Sequence, residues 1–351
     1  MFKNIRLRSL INTSETYIQK NNMTIPVLIC DDSSFARKQM ARALPEHWDV
    51  TLNYAKNGCE ALDVLRSGQA EVMFLDLNMP EMDGYEVLET VRREDINTFV
   101  VVVSGDIQED AQKRVMSLGA MDFIKKPVNK EQISDILNEY GLLHLTNSKL
   151  NSEEIEVDNF DFFQELANVS MGRGIDLLSK LLSVYIPMPI PRVNYVELND
   201  LTMTLSDVYN STDLTPICQG FIGAGIAGEV LLLFNQPDFK DVAELMNYDG
   251  ELNDSAALEL LMDISTVLTG ACLNGLSEQL DIPFSLGHPR ALAEAIQLDE
   301  LIDRSGSNKW KKTLAIEMGF EVDGNKLRCN LLLLFTEDSV VKLNNLVSYI
   351  C

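Results

Sequence analysis

Between Met23 and about Leu143 the chain switches repeatedly between short β-rich apolar runs and stretches of helical periodicity. The runs "IPVLIC", "VTLNYA", "EVMFLDL", "FVVVVSG" and "DFIKK" are dense in Val, Ile, Leu and Phe, as buried strands are. Between them lie "SSFARKQMARALPE", "NGCEALDVLRSG", "DGYEVLETVRRE" and "QEDAQKRVMSLGA", and "NKEQISDILNEYG" follows the last run. Five such β-α units predict an α/β fold, a doubly wound five-stranded parallel sheet. Its functional site is expected beyond the carboxyl ends of the strands.

Polar residues fall at those ends. Asp31 and Asp32 close the first run, Asp76 the third, Ser104 the fourth and Lys126 the fifth. Three carboxylates converging there repel one another unless a cation sits among them. Hard oxygen ligands that leave room for water suit Mg²⁺. A hydroxyl and an ammonium beside that cation can hold the oxygens of a phosphoryl group on Asp76. Each residue alone has an ordinary explanation, since a strand-end Asp often caps a helix and Lys-Pro often marks a turn. Their coincidence at successive strand ends does not.

With these residues in place, "LICDDS", "FLDLNMPEMDGYE", "VVVSGD" and "DFIKKPV" resemble the response-regulator receiver family, close in pattern to CheY, across 23–143. The resemblance implies phosphorylation of Asp76, with Mg²⁺ on Asp32, Asp76 and the Asn78 carbonyl and Asp31 acting through water. It also implies contact of Ser104 and Lys126 with the phosphoryl group, and a switch aromatic at Phe123. A sensor histidine kinase is the implied phosphodonor.

Composition narrows what the remainder does. A net charge of −24 leaves no basic face for nucleic acid. Six scattered cysteines without C-x-x-C, and only three histidines, suggest reduced thiols in a cytoplasmic protein rather than a zinc site. No run of 18 apolar residues occurs, so no membrane span is expected. Residues 1–22 read as a flexible extension and 144–158, "HLTNSKLNSEEIEVD", as a linker.

Residues 159–351 contain an internal repeat. "FFQELANVSMGRGIDLLSKLL" aligns with "LLMDISTVLTGACLNGLSEQL" at a constant offset of 98, pairing Val169 with Val267, Gly172 with Gly270 and Pro191 with Pro289. Each helix precedes a β-rich stretch that ends in "VLLLF" or "LLLLF" and then an acidic, helix-like segment. A pseudo-twofold α+β domain with two equivalent surface sites is expected. On the first helix Glu165 and Asn168, three apart, share a face, and Asp161 lies one turn earlier. The spacing Asp161-x₃-Glu165-x₂-Asn168-x₂₂-Pro191, with "IPRVNYVELNDL", resembles the CheC, FliY and CheX phosphatase family.

That resemblance implies hydrolysis of an aspartyl phosphate on a CheY-like receiver, with Asn168 positioning water and Glu165 pairing with the receiver's phosphate-site lysine. In the second copy Glu259, Asp263 and Thr266 replace Asp161, Glu165 and Asn168, which predicts a degenerate site. The sequence reading favours action in trans on a separate phosphorylated CheY-like protein, tuned by Asp76. Action in cis on Asp76 is the alternative. A non-catalytic, phosphorylation-switched adaptor for chemotaxis or flagellar-switch proteins is the rival of another class. A CheD-like regulator and a homodimer are further expectations, and neither nucleic acid nor membrane is an expected partner.

Overall fold

The computed structural model describes residues 24–143, 158–197, 214–235, 239–291, 312–322 and 327–350. The proposed extension, 1–22, and all but the last residue of the proposed linker lie outside them. Asp158, read as the end of the linker, instead caps the next helix by accepting from the Phe160 amide.

The first domain runs β1 (Ile25–Cys30), α1 (Ser34–Ala43), β2 (Val50–Ala55), α2 (Gly58–Arg66), β3 (Val72–Leu75), α3 (Gly84–Arg93), β4 (Phe99–Ser104), α4 (Glu109–Leu118), β5 (Asp122–Lys125) and α5 (Lys130–Glu139). Its sheet has the order β2-β1-β3-β4-β5, with every pair parallel. Alternation along the strands divides two cores. Leu28, Met73, Leu75, Val100 and Val102 face one layer of helices, and Val27, Ile29, Phe74, Val101 and Val103 face the other. The doubly wound parallel sheet expected from the sequence is present. The helices are shorter than the periodic stretches, because caps at Ser33, Asn57, Asp83 and Asn129 set where each begins.

The second domain runs α6 (Asn159–Leu182), β6 (Arg192–Glu197), β7 (Leu214–Gly223), β8 (Ile226–Asn235), α7 (Phe239–Leu245), α8 (Asp254–Leu280), β9 (Ser285–Leu286), β10 (Arg290–Ala291), β11 (Lys312–Val322), β12 (Leu327–Phe335) and α9 (Glu337–Ile350). An antiparallel sheet of order β10-β7-β8-β12-β11-β6, with β9 beside β7, carries α6 and α8 on its core face. Exchanging the two halves leaves that order unchanged. The register locates the dyad: Leu231 of "VLLLF" pairs with Leu332, its counterpart in "LLLLF". Each half also lends its short strand to the other, β6 to β11 and β10 to β7. Both long helices end on equivalent left-handed residues, Ser183 (φ 55°) and Asp281 (φ 53°). Gly174 sits against Cys272, its repeat counterpart, where a side chain would meet the sulfur at 2.7 Å.

Helix α8 is long and apolar enough, by composition, to cross a membrane, although the sequence reading expected no such segment. Here it is the core helix of the second domain, burying Leu261, Ile264, Leu268, Cys272 and Leu276. The two domains also touch through apolar side chains. Phe35 of α1 stands edge-on to Phe162 of α6, with ring centroids 4.8 Å apart, and joins the second domain's core.

Candidate functional site

The site forms where the carboxyl ends of β1, β3, β4 and β5 meet the first three turns of α6. Asp31 is fixed from both sides. Its Oδ1 accepts from the Ser33 amide at 2.9 Å, and its own carbonyl accepts from Arg37 Nη1 at 2.6 Å. The Asp32 carbonyl accepts from the same Arg37 nitrogen at 3.1 Å, so one side chain of α1 holds the turn that carries both acids. Asp76 follows β3 directly, and its Oδ2 accepts from the Asn78 amide at 2.7 Å. Ser104 is fully buried, and its hydroxyl accepts from the Asp106 amide at 3.1 Å. Phe123, on β5, is half-buried against the same core as Leu88 and Val102.

Lys126 is the hub. Its Nζ lies 2.7 Å from Asp31 Oδ2, 3.0 Å from Asp76 Oδ1 and 3.2 Å from Glu165 Oε1. Lys126 is 3% exposed, Asp76 1% and Glu165 4%. Burial works against the Lys126 charge, but Asp31, Asp76 and Glu165 outweigh it and hold its pKa well above the ordinary value. Desolvation raises the Asp31 and Glu165 pKa values, and Lys126 opposes that in both. Asp32 is pushed up to about 7, first by burial and then by Asp76.

Four carboxylates facing one ammonium leave an excess of negative charge. These acids and the Asn78 carbonyl are all oxygen donors, the type that suits the Mg²⁺ expected from the sequence on Asp32, Asp76 and Asn78, with Asp31 acting through water. Among the described residues, no three His, Cys, Asp or Glu side chains are drawn together in metal-holding geometry. Lys126 spans Asp31 and Asp76 instead.

Asn168, 6% exposed, lies one turn beyond Glu165, and its Oδ1 accepts no hydrogen bond among the described residues. A cavity of about 10 Å³, lined by Asp31, Asp76, Lys126 and Glu165 among others, adjoins the acids. That is space for about one water. Sequence reasoning thus placed Asp31, Asp76, Ser104, Lys126, Glu165 and Asn168, and the fold brings them to one buried locus. Asp263 and Thr266 lie elsewhere, exposed on α8, with the Thr266 hydroxyl donating to the Met262 carbonyl of its own helix at 2.8 Å.

Other contacts of the site were not foreseen. Ser34 donates from its hydroxyl to the Asp161 carboxylate. Gln108 donates to the Ile186 carbonyl at 2.8 Å and accepts from the Ile186 amide at 3.1 Å. Gly172 meets Gly105 backbone to backbone, and a Cβ on Gly172 would fall 1.9 Å from the Gly105 oxygen. The only hints in the sequence are the small residues themselves and an aromatic, Phe35, directly after the Ser33-Ser34 pair.

The first domain, with its acid pocket, buried aspartate, hydroxyl and lysine at the strand ends, is a receiver in class. Comparison with known proteins agrees. The family described as "Response regulator receiver domain" matches residues 27–138. The chemotaxis protein CheY of Treponema pallidum is 30% identical over 115 residues, which are 32% of this chain and 80% of that protein. Through this domain the chain belongs to the response-regulator receiver family, of chemotaxis type. A protein-glutamate methylesterase/protein-glutamine glutaminase of Geobacillus kaustophilus is 40% identical over 107 residues, 30% of each chain. The chain spans about a third of such curated relatives, and the likeness is confined to the receiver. Thermotoga maritima FliY is 18% identical with a TM-score of 0.41, covering 54% of this chain and 96% of that one.

Proposed function

We propose that this chain is a response regulator whose second domain hydrolyses the aspartyl phosphate of its own receiver, at Asp76. The observation that carries the reading is the Glu165–Lys126 pair at 3.2 Å, a CheC-like carboxylate seated on the phosphate-site lysine of the same chain. A buried, unaccepting Asn168 Oδ1 stands one turn away, free to accept a hydrogen bond from a water.

In this mechanism α6 closes over the phosphorylated receiver. Asn168 orients a water in line with the phosphorus–Asp76 bond, and water oxygen bonds to phosphorus as that bond breaks. The water's proton leaves with inorganic phosphate, and Asp76 regains its carboxylate. Lys126 and Ser104 contact the phosphoryl oxygens, while Glu165 fixes the lysine and the register of docking. Asp32, Asp76 and the Asn78 carbonyl, with Asp31 acting through water, would hold Mg²⁺, which would supply neutralisation of the phosphoryl charge. Tethering replaces a bimolecular encounter with closure of one chain on itself.

The trans reading preferred from the sequence requires this face to be vacated, since the chain's own receiver buries both Glu165 and Asn168. A histidine kinase as phosphodonor and a cytoplasmic setting remain part of the proposal.

The test is the lifetime of phosphate on Asp76 after loading with a small phosphodonor. First-order decay independent of protein concentration, slowed at least tenfold in Asn168→Ala and in Glu165→Ala, is expected. Equal lifetimes in wild type and Asn168→Ala would remove the phosphatase. Rescue of Asn168→Ala by added Asp76→Asn chain would move the activity to trans.

A further inference from the structure

The pseudo-twofold axis gives the receiver-docking face a second copy, and the described residues leave it uncovered. On α6 the stripe Asp161, Glu165, Asn168, Val169 and Gly172 meets the receiver, and all but Asp161 are buried. Its equivalents on α8 are Glu259, Asp263, Thr266, Val267 and Gly270. The first three are exposed, the last two half-buried. Gly172 receives the Gly105 carbonyl, whereas around Gly270 nothing lies within 4 Å of a built Cβ.

What a receiver needs from this face divides into docking and chemistry. Docking needs an anion for Lys126 and a gap where the Gly105 loop can approach. Asp263 keeps the anion, one methylene shorter, and Gly270 keeps the gap. Chemistry needs the carboxamide, and Thr266 lacks one, with its hydroxyl turned back to its own helix. The occupant this geometry fits is the one already seen on the equivalent face, this chain's own receiver, which cannot sit on both faces at once.

We infer that the outward face of α8 is a docking site for the receiver of a second copy of this chain, which it holds without hydrolysing its phosphate. The inference rests on α6 being a receiver-docking face. The clause on hydrolysis rests on the proposed role of Asn168.

The experiment uses full-length chains. In the probe, Gly172→Phe and Gly270→Phe together block both of its own faces, so that its receiver is free, and a fluorescent label reports binding. Far-ultraviolet circular dichroism checks that probe and receptors are folded. The wild-type chain, its own receiver in place, is the receptor. One-to-one binding is expected, at least tenfold weaker to an Asp263→Lys receptor and lost to a Gly270→Phe receptor. Phosphate on the bound probe should decay no faster than on the free probe. Absence of binding, or binding that Gly270→Phe leaves unchanged, overturns the docking site. Binding by single-domain Treponema pallidum CheY alone overturns the choice of occupant, and faster phosphate loss overturns the passive role. None of these depends on phosphate lifetime in the wild-type chain alone, so the phosphatase reading stands or falls separately.

Discussion

Helices α6 and α8 are the same element used twice. They share a 98-residue offset, left-handed C-caps and a common core, and they cross where Gly174 meets Cys272. Yet Glu165 and Asn168 are buried, and Asp263 and Thr266 are exposed. The difference arises outside the repeat, from a receiver docked on one helix alone. The inward faces are alike because both must fill one core; the outward faces diverge because only one meets the receiver's acid pocket.

The hardest test of that comparison is a single glycine. Gly172→Phe drives a side chain into the Gly105 carbonyl, and overpacking of this kind costs about 1–3 kcal/mol. Domain undocking is expected, read as increased hydrogen exchange in α6 and the loop after β4. The same change at Gly270, in open space, should leave the exchange of an isolated chain unaltered. Should both behave alike, the two faces are not functionally different.

Next comes chemistry. Asn168→Ala is expected to lengthen the Asp76 phosphate lifetime by roughly 10²-fold, the scale seen when one positioned transition-state group is removed. Thr266→Ala should leave it unchanged within error. Stopped-flow or radiolabel decay resolves the two.

Stability, rather than chemistry, reports on the shared aromatic contact. Phe35→Ala removes the receiver's ring from Phe162, and about 3 kcal/mol is expected from loss of a buried Phe. Thermal unfolding should then separate into two transitions, one for each domain. Gln108→Ala, which deletes two hydrogen bonds to Ile186, should weaken closure by about 1–3 kcal/mol in the same measurement.

The mildest test is electrostatic. Burial raises the Asp106 pKa, against the lowering hydrogen bonds from Gln108. A carboxyl with a raised folded pKa favours the folded state when protonated. Its cost is absent below the unfolded value of about 4 and complete above the folded one. Asp106→Asn should therefore flatten the loss of stability with rising pH in that window. A slope equal to that of wild type would assign it to the other raised carboxyls, Asp31, Asp32 and Glu165.

Much of this was readable from residues alone. Short continuous apolar runs and helical periodicity identified the receiver's strands and helices, because each element's burial pattern is written locally. Asp31, Asp76, Ser104 and Lys126 were found because a parallel sheet forces strand ends to converge. The repeat gave α6 and α8, and the loss of an acid–amide pair in one copy drew attention to it in the other. Gln108, Ile186, Phe35 and Gly105 were not legible. Their roles exist only between domains, and no local period encodes which surface a glycine or a glutamine will meet.

The sequence by itself determined the two folds, the twofold repeat and the chemistry each site can hold. Propensity, periodicity and residue type act within a few residues or along a single strand order. Only the tertiary structure decided that the Glu165–Asn168 face lies on its own receiver, with Glu165 beside Lys126. That choice rests on shape and charge matching between surfaces 39 positions apart in the chain. Close approach through Gly105 and Gly172 and burial around Phe35 and Phe162 select one docking arrangement among the many that the linear pattern permits.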